Sequence, residues 1–234
     1  MPSRRPFVLA IDTSGSFCSV AISDGNAVVV AKTSEGEGNH FERLPDLVSA
    51  VFEEVGISAD NCGQLRIGLG PGSFTGLRIG LGFAKGFVAA EKIPLVGLSS
   101  FHACALATYR QLDNAGKRQP IGVFSDARRG EVFWALYAHT EGRGVVEIRG
   151  PEIVSANKVR EWREQTPGSV CATPVGGFCV PDVNDVIVQD HIGIGLLEST
   201  VTDMPKASAD MWAMVEPHYI RPVAAKTIEE RRRD

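Results

Sequence analysis

The chain has 234 residues, of which 44% are hydrophobic and 22% are charged. These proportions are those of an ordinary globular protein, and they exclude a disordered, a collagen-like or a coiled-coil chain. The chain has 24 basic and 28 acidic residues, which gives a net charge of −4. The protein as a whole is therefore not a basic nucleic-acid binder, although a local basic patch is compatible with that balance.

The chain shows no sign of export or membrane insertion. No apolar run approaches the length that spans a bilayer, and the apolar stretch at 7–11 is too short for the core of a signal peptide. The five cysteines are an odd number, widely spaced and without a C-x-x-C pair. We therefore expect a cytoplasmic protein with reduced thiols and no contact with membranes.

The first half of the chain opens with three strands and then alternates helices with strands. The predicted strands are 7–11, 18–22, 27–31, 65–69 and 94–98. The predicted helices are 40–55, 73–92 and 99–110, from apolar residues at helical spacing. Pro45 leaves the start of the first helix open, because proline is best tolerated in a first turn. The order β-β-β-α-β-α-β-α predicts an α/β fold with helices covering the sheet.

After a polar connection at 113–119 the pattern restarts with a hairpin, which suggests two related halves. The predicted strands are 121–125, 131–137, 145–148 and 170–173, with a helix at 155–163 and a final helix or two over 194–214. Loops are expected at 176–177 and 181–185. Along the strand at 131–137, alternation places Val132, Trp134 and Leu136 on one face and the intervening residues on the other.

The strongest local signal is the run Gly-Pro-Gly-Ser-Phe-Thr-Gly at 70–76, where a strand feeds a helix. Backbone N–H groups at such a turn can bind an anion, and the Asp-Thr-Ser-Gly-Ser turn at 12–16 could hold a magnesium–phosphate complex. The candidate anion or nucleotide contacts are Asp12, Gly70, Gly72, Ser73 and Thr75. The alternative is purely structural, with Ser73 as the N-cap of the helix and Asp12 in a side-chain-stabilised hairpin turn.

The helix that follows carries small residues on two faces. Gly76, Gly80 and Ala84 lie four apart on one face, and a second row at 82, 86 and 90 lies on another. Each interior glycine costs about 0.8–1.0 kcal/mol of helix propensity relative to alanine, so four cost about 3–4 kcal/mol. One face can pack on the sheet of its own domain. The second suggests another helix, from this chain or from a partner, that approaches the backbone closely.

Residue patterns for catalysis are poor. The five histidines are widely spaced, no zinc-binding pair is present, and no nucleophile motif occurs. His102 is interpreted as a packed or surface histidine. The charged turn formed by Asp126, Arg128 and Arg129 is either solvated or contacts an anionic partner. The arginines at 231–233 are interpreted as part of a charged tail, and the alternative is that they contact RNA.

Several stretches together resemble one family. They are Leu-Ala-Ile-Asp-Thr-Ser at 9–14, Asn-His-Phe-Glu-Arg-Leu at 39–44, Gly-Pro-Gly-Ser-Phe-Thr-Gly-Leu-Arg-Ile-Gly at 70–80, Asp-Ala-Arg-Arg-Gly-Glu-Val at 126–132 and Pro-His-Tyr-Ile-Arg-Pro at 217–222. The chain is similar to the TsaB (YeaZ) family of bacterial tRNA threonylcarbamoyladenosine biosynthesis proteins. The match is dense in the N-terminal half and thin in the second half, apart from the hairpin and the tail.

The resemblance implies a two-lobed α/β fold of the actin, heat-shock chaperone and sugar-kinase (ASKHA) type, with mixed sheets flanked by helices and a reduced second lobe. We expect the first lobe at 1–110, completed by 212–234, and the smaller second lobe at 111–211. The resemblance also implies a partner of TsaD, the subunit that transfers the threonylcarbamoyl group to tRNA, with the ATPase TsaE joining the assembly. Alone, such proteins form homodimers through the helices that pair with TsaD.

The resemblance further implies that a metal site is lost. In the catalytic relative two metal-binding histidines follow the strand that corresponds to 94–98. Ser100 and Cys104 stand at those positions here, and His102 between them is out of register because residues i and i+2 of a helix point apart. We therefore expect no metal, no tightly bound cofactor and no catalysis, with a nucleotide at a complex interface still allowed.

The partner surface is expected on the helices at about 40–55 and 73–91. Its predicted residues are His40, Glu42, Leu44, Leu47, Val51, Gly76, Arg78, Gly80, Leu81, Gly82 and Lys85. The leading hypothesis is a non-catalytic scaffold that activates TsaD. The rivals are a nucleotide-binding ATPase of the same fold that uses Asp12 and the 70–76 loop, and a metallopeptidase, which the missing ligands disfavour.

Overall fold

The computed structural model describes residues 7–34, 40–174, 186–189, 191–199 and 211–220. The strands are β1 Phe7–Asp12, β2 Ser19–Ser23, β3 Val28–Thr33, β4 Cys62–Gly68, β5 Leu95–Leu98, β6 Ile121–Arg128, β7 Glu131–Thr140, β8 Gly144–Ser155, β9 Val170–Pro174 and β10 Val186–Gln189. The helices are α1 His40–Val55, α2 Phe74–Glu91, α3 Ser100–Gln111, α4 Ala156–Gln165 and α5 Ile192–Glu198, with 3₁₀ turns at Ala59–Asn61, Gly116–Arg118 and Met211–Met214.

The first sheet has the order β3-β2-β1-β4-β5. The strands β1, β2 and β3 form an antiparallel meander, while β4 and β5 run parallel to β1. The β2–β3 turn is fixed by Asp24, whose Oδ1 accepts the N–H groups of Asn26 and Ala27, both at 2.9 Å. The opening meander predicted from the sequence is confirmed.

The second sheet repeats the same topology. Its order is β10-β9-β6-β7-β8, so β6, β7 and β8 form the meander and β9 and β10 run parallel to β6. Because both sheets have the same arrangement of strands, the suggestion of two related halves is confirmed. The two sheets also confirm the two-lobed α/β fold with mixed sheets flanked by helices.

The elements stack in five layers, of which α3 and α5 together form the middle one. Helices α1 and α2 cover the outer face of the first sheet, and α5 lies against its inner face. Helix α3 packs on α5 and on the inner face of the second sheet, whose outer face carries α4. Within the described residues, two long helices therefore cover the first sheet from outside, and one helix of ten residues covers the second. This is the sense in which the second lobe is reduced.

The strand β7 separates two apolar clusters, as its alternation predicts. Ala135 and Tyr137 pack toward α3 in one cluster, while Val132 and Trp134 pack toward α4 in another. Period-two alternation is the direct consequence of strand geometry, so the two faces can be assigned from sequence once the strand is recognised.

Helix α5 joins the layers through two glycines. A Cβ at Gly195 would overlap the carbonyl oxygen of Ala103 in α3, and one at Gly193 would press on Ala21 of β2 at 3.1 Å. Although α5 lies within the segment 111–211, it packs on β1 and β2 of the first sheet. The lobe bounds at 110, 111, 211 and 212 stay a prediction.

Sequence reasoning was wrong about some elements of the second half. Strand β8 extends from 144 to 155, beyond the predicted 145–148, because it follows β7 along most of its length. Strand β10 was not predicted; it pairs with β9 across a long connection, which a local pattern does not reveal. The expected helices over 194–214 are α5 and a 3₁₀ turn. The loops at 176–177 and 181–185 and the tail arginines lie outside the described residues.

Candidate functional site

The turn after β1 holds its aspartate in a network of local hydrogen bonds. Asp12 is 1% exposed, and its Oδ1 accepts the N–H of Ser14 at 2.9 Å and the hydroxyl of the same serine at 2.6 Å. The structural alternative for this turn, a hairpin stabilised by side chains, is therefore present in the protein. Whether Asp12 also contacts an anion or a nucleotide remains a prediction.

The glycine-rich loop at 70–76 is fitted to the chain around it. The N–H of Ser73 donates to the carbonyl oxygen of Ser14 at 2.7 Å, and a Cβ at Gly72 would overlap that same oxygen. The Oγ of Ser100 accepts the N–H of Gly70 at 3.0 Å. The space that these glycines leave is thus filled by the protein itself.

Ser73 is the N-cap of α2, as predicted. Its Oγ accepts the N–H of Gly76 at 3.2 Å, which satisfies one of the donors that a helix start leaves unpaired. Thr75 is exposed in the first turn of the helix. The capping role of Ser73 needs no ligand, and a ligand role for the loop stays a prediction.

The stretch that follows β5 is packed in the interior. Ser100 and Cys104 are fully buried, and burial together with the nearby Asp12 raises the pKa of the Cys104 thiol well above its ordinary value. The Nε2 of His102 lies 2.9 Å from the carbonyl oxygen of Val145, and its ring stacks on Tyr137. The interpretation of His102 as a packed histidine is confirmed. The described part of the chain brings together no three His, Cys, Asp or Glu side chains that could hold a metal ion.

One small-residue face of α2 is buried against the β1–β2 turn. The Oγ1 of Thr13 donates to the carbonyl oxygen of Gly76 at 2.8 Å, and a Cβ at Gly80 would overlap that same Oγ1. Ala84 is also fully buried on this face. The glycine at 80 is therefore explained by a contact within the chain.

The other small-residue face of α2 is bare. Gly82 and Gly86 are exposed, and a Cβ at either position would meet nothing within 4 Å. Ala90, one further turn along, is exposed as well. Among the described residues nothing covers this row, and the alternative in which this chain covers both faces of α2 stays open for the rest of the chain.

The predicted interface residues divide by the direction they face. Those that point inward are Leu44, Val51, Gly76, Gly80 and Leu81, all buried. Those that reach the surface are Glu42, Arg78 and Gly82, which are exposed, and Leu47 and Lys85, which are half-buried. The side chain of His40 lies outside what the structure describes. The inward set packs inside the chain and supports the two helices from below, and a partner contact of these residues stays a prediction.

The residues 213–219 lie along α2, and sequence reasoning missed the surface they form with it. Lys85 donates from Nζ to the carbonyl oxygen of Ala213 at 3.0 Å, and the guanidinium of Arg78 lies 3.8 Å from the ring centroid of Phe74 and donates to the hydroxyl of Tyr219. Phe74 and Tyr219 remain 41% and 39% exposed. The family resemblance led us to expect that 212–234 completes the first lobe, but no local pattern indicates that this segment follows α2.

Comparison with known proteins places the chain. The family model described as TsaD, tRNA N6-adenosine threonylcarbamoyltransferase, matches residues 34–228. The tRNA threonylcarbamoyladenosine biosynthesis protein TsaB of Escherichia coli is 33% identical over 231 residues, which cover 92% of this chain and 94% of that protein. The chain belongs to the TsaB (YeaZ) family. TsaB of Bacillus subtilis is 32% identical over 135 residues, 58% of this chain and 56% of that protein.

The fold of solved relatives agrees with this family. YeaZ from Pseudomonas aeruginosa superposes with a TM-score of 0.71 at 22% identity, over 91% of this TsaB-family chain and 99% of that structure. A second structure from the same organism, described as similar to the peptidase YEAZ, gives the same TM-score over 92% of this chain. In the part of the chain that the structure describes, no helix is both long and apolar enough to cross a bilayer.

Proposed function

We propose that this TsaB-family protein acts in tRNA threonylcarbamoyladenosine biosynthesis as a non-catalytic partner of TsaD. The family itself supports the pathway. The observation that carries the partner role is the bare row of Gly82 and Gly86 on α2. Two interior glycines in an exposed helix face cost about 2 kcal/mol relative to alanine, and no described residue recovers that cost by packing on them.

The surface around this row suits a helical partner. On α1, which packs beside α2 through Phe52 and Phe87 at 6.1 Å between ring centroids, Glu42 is exposed and Leu47 is half-buried. Glycines without neighbours let a second helix approach the backbone closely, and close approach increases dispersion contact along the whole crossing. The proposed occupant of this surface is a helix of TsaD, or the same helix of a second copy when TsaD is absent.

The absence of catalysis in this chain is part of the proposal. It is supported by the packing after β5, where Ser100 and Cys104, which the resemblance places at the positions of metal-binding histidines, are buried. It is also supported by the loop at 70–76, whose glycines contact the chain itself. Tight binding and turnover of magnesium–ATP by the isolated protein, measured by calorimetry and phosphate release, would contradict this part and favour the ATPase alternative.

The wider assembly follows from the same proposal. TsaE would join the pair, tRNA would be met through the complex, and the setting would be the cytoplasm. No tightly bound cofactor is required, and a nucleotide could lie at an interface of the complex. Asp12, Gly70, Gly72, Ser73 and Thr75 remain its candidate contacts on this chain.

The test is the substitution Gly82→Leu. A leucine here has open space in the isolated chain, so the fold should persist, but it would hold a partner helix away from α2. We expect co-purification with TsaD and threonylcarbamoylation of tRNA by the reconstituted complex each to fall at least about tenfold, a loss of about 1.4 kcal/mol in association.

The matched control is Glu164→Leu, which places the same side chain on an exposed position of α4, on the outer face of the other sheet. It should leave association and modification unchanged. Full recovery of TsaD with the Gly82→Leu protein would rule out this surface as the interface.

A further inference from the structure

The turn between β6 and β7 presents two arginines in a backbone conformation that arginine rarely adopts. Arg128 has φ +65° and Arg129 has φ +60°, and Gly130 follows at φ +75°. Positive φ at a position in a two-residue hairpin turn favours glycine or asparagine, because a Cβ crowds the backbone there. Residues held in this region without an evident structural gain concentrate at functional sites.

Neither arginine is explained by packing within the chain. The side chain of Arg128 is 84% exposed, and its charged partner is the adjacent Asp126, 3.3 Å from Nη1. That carboxylate also accepts the N–H of Arg128 at 2.7 Å, so it serves to hold the turn. Arg129 is exposed, and its guanidinium makes no hydrogen bond or ion pair within the described residues. A shorter polar residue would fit the turn at lower conformational cost.

The N-terminus of a helix and the carboxylate of Glu131 both lie near the turn. In the sheet, Arg128 is the cross-strand neighbour of Glu131 in β7, and Glu131 is the cross-strand neighbour of Ser155 at the end of β8. The turn therefore lies two strands, about 10 Å, from the N-cap of α4. Helix α4 has no acidic residue in its first turn, and Ser155 caps it. The partially positive end of this helix therefore lies at the same edge of the sheet as the two guanidinium groups.

From this placement we infer that the Arg128–Arg129 turn contacts phosphate groups of the tRNA backbone. The guanidinium group binds phosphate oxygens through two parallel hydrogen bonds and keeps its charge at any physiological pH. The chain carries a net charge of −4, so it repels RNA as a whole and can meet it only at a local basic site. The inference rests on the proposed role in tRNA modification and assigns to this chain a direct contact with the substrate.

The experiment replaces both arginines, Arg128→Asn and Arg129→Asn. Asparagine adopts positive φ more readily than arginine, so the double variant should fold at least as well, which a thermal melt verifies. Binding of an unmodified tRNA transcript to the assembled complex with TsaD is then measured over a series of salt concentrations. We expect affinity to fall about tenfold at 0.1 M salt, and the slope of log affinity against log salt to decrease by about 1.5, as for two lost phosphate contacts.

The matched control removes two other exposed arginines, Arg118→Asn and Arg143→Asn. They lie at the opposite end of the same strands, next to the start of β6 and the end of β7, and the net charge changes equally. This control should leave both the affinity and the salt slope close to those of the unmodified protein.

The outcomes separate this inference from the proposed function. Unchanged affinity and slope in the Arg128→Asn, Arg129→Asn protein overturn the inference, as does loss of TsaD association, which would mean that the turn contacts protein carboxylates. If the unmodified protein fails to associate with TsaD, the proposed function is wrong. The same titration on the isolated chain then decides the inference: a difference between the two proteins supports it, and equal curves overturn it.

Discussion

A single hydroxyl group distinguishes the two glycine rows of α2. The Oγ1 of Thr13 lies where a Cβ at Gly80 would be, whereas the equivalent space beside Gly82 is empty. The glycine at 80 is therefore required by packing inside the lobe. The one at 82 is not, which is why a role outside the chain is assigned to it.

This difference predicts opposite effects of the same substitution. Gly82→Ala should stabilise the isolated chain by about 1 kcal/mol, because alanine is the better helix former and meets no neighbour. Gly80→Ala should destabilise it by about 1–3 kcal/mol, because Thr13 must move and its bond to Gly76 is disturbed. Urea unfolding at several protein concentrations measures both. A Gly80→Ala protein as stable as the unsubstituted one would refute the packing argument.

At the scale of elements, α5 depends on one arginine of β4. The Nη1 of Arg66 donates to the carbonyl oxygens of Leu196, Leu197 and Ser199 at 2.8–2.9 Å, all at the C-terminal end of α5. Burial lowers the pKa of Arg66, and its charge complements the partially negative end of the helix. A helix of seven residues is too short to be stable alone, so this contact fixes the layer between the two sheets.

Arg66→Leu should therefore destabilise the protein by about 3 kcal/mol, since it leaves three part-buried carbonyl groups without this donor. Hydrogen exchange of the amides of residues 192–199 should accelerate more than that of α2. Arg110→Leu is the control, because Arg110 pairs with Glu198 of the same helix at the surface and should cost less than about 1 kcal/mol. Equal losses of stability in the two variants would show that the contact of Arg66 with the end of α5 contributes no more than the surface ion pair of Arg110.

At the scale of the molecule, buried ionisable groups that favour their neutral forms lie in or beside both sheets and on α3. Burial and the charge of Asp12 raise the pKa of Cys18 to about 11 from an ordinary 9.0. Burial likewise raises the pKa of Cys171 and of Tyr137 in the second sheet, and of Cys104 on α3. Both lobes thus favour the protonated forms of these side chains in the folded state.

The stability of the whole protein should consequently fall at alkaline pH. Above about pH 9 thiols ionise in the unfolded chain but stay protonated in the folded one, so the folded state binds more protons and the free energy of unfolding decreases as pH rises. The contribution of Cys18 should be lost between about pH 9 and pH 11. Urea unfolding at intervals from pH 8 to 11 measures this, and Cys18→Ala should show a shallower decline. A constant free energy over that range would contradict the assignment.

Much of the fold was predictable from the sequence because the signals are local. The spacing of apolar residues placed α1 at 40–55, as observed, and Ser73 marked the cap of α2 because its hydroxyl bonds three residues away. Strand alternation assigned the two faces of β7 for the same reason. Strand β10 was missed, since its pairing with β9 bridges a connection that no local pattern describes.

The candidate site was predictable only in part. The sequence alone determined that α2 carries two rows of small residues and that Arg128 and Arg129 occupy a turn. Tertiary structure decided that Thr13 fills the space beside one row while no described residue covers the other, and that 213–219 lies along the same helix. The physical reason is that helical period fixes which residues share a face, whereas what covers that face depends on segments distant in the chain.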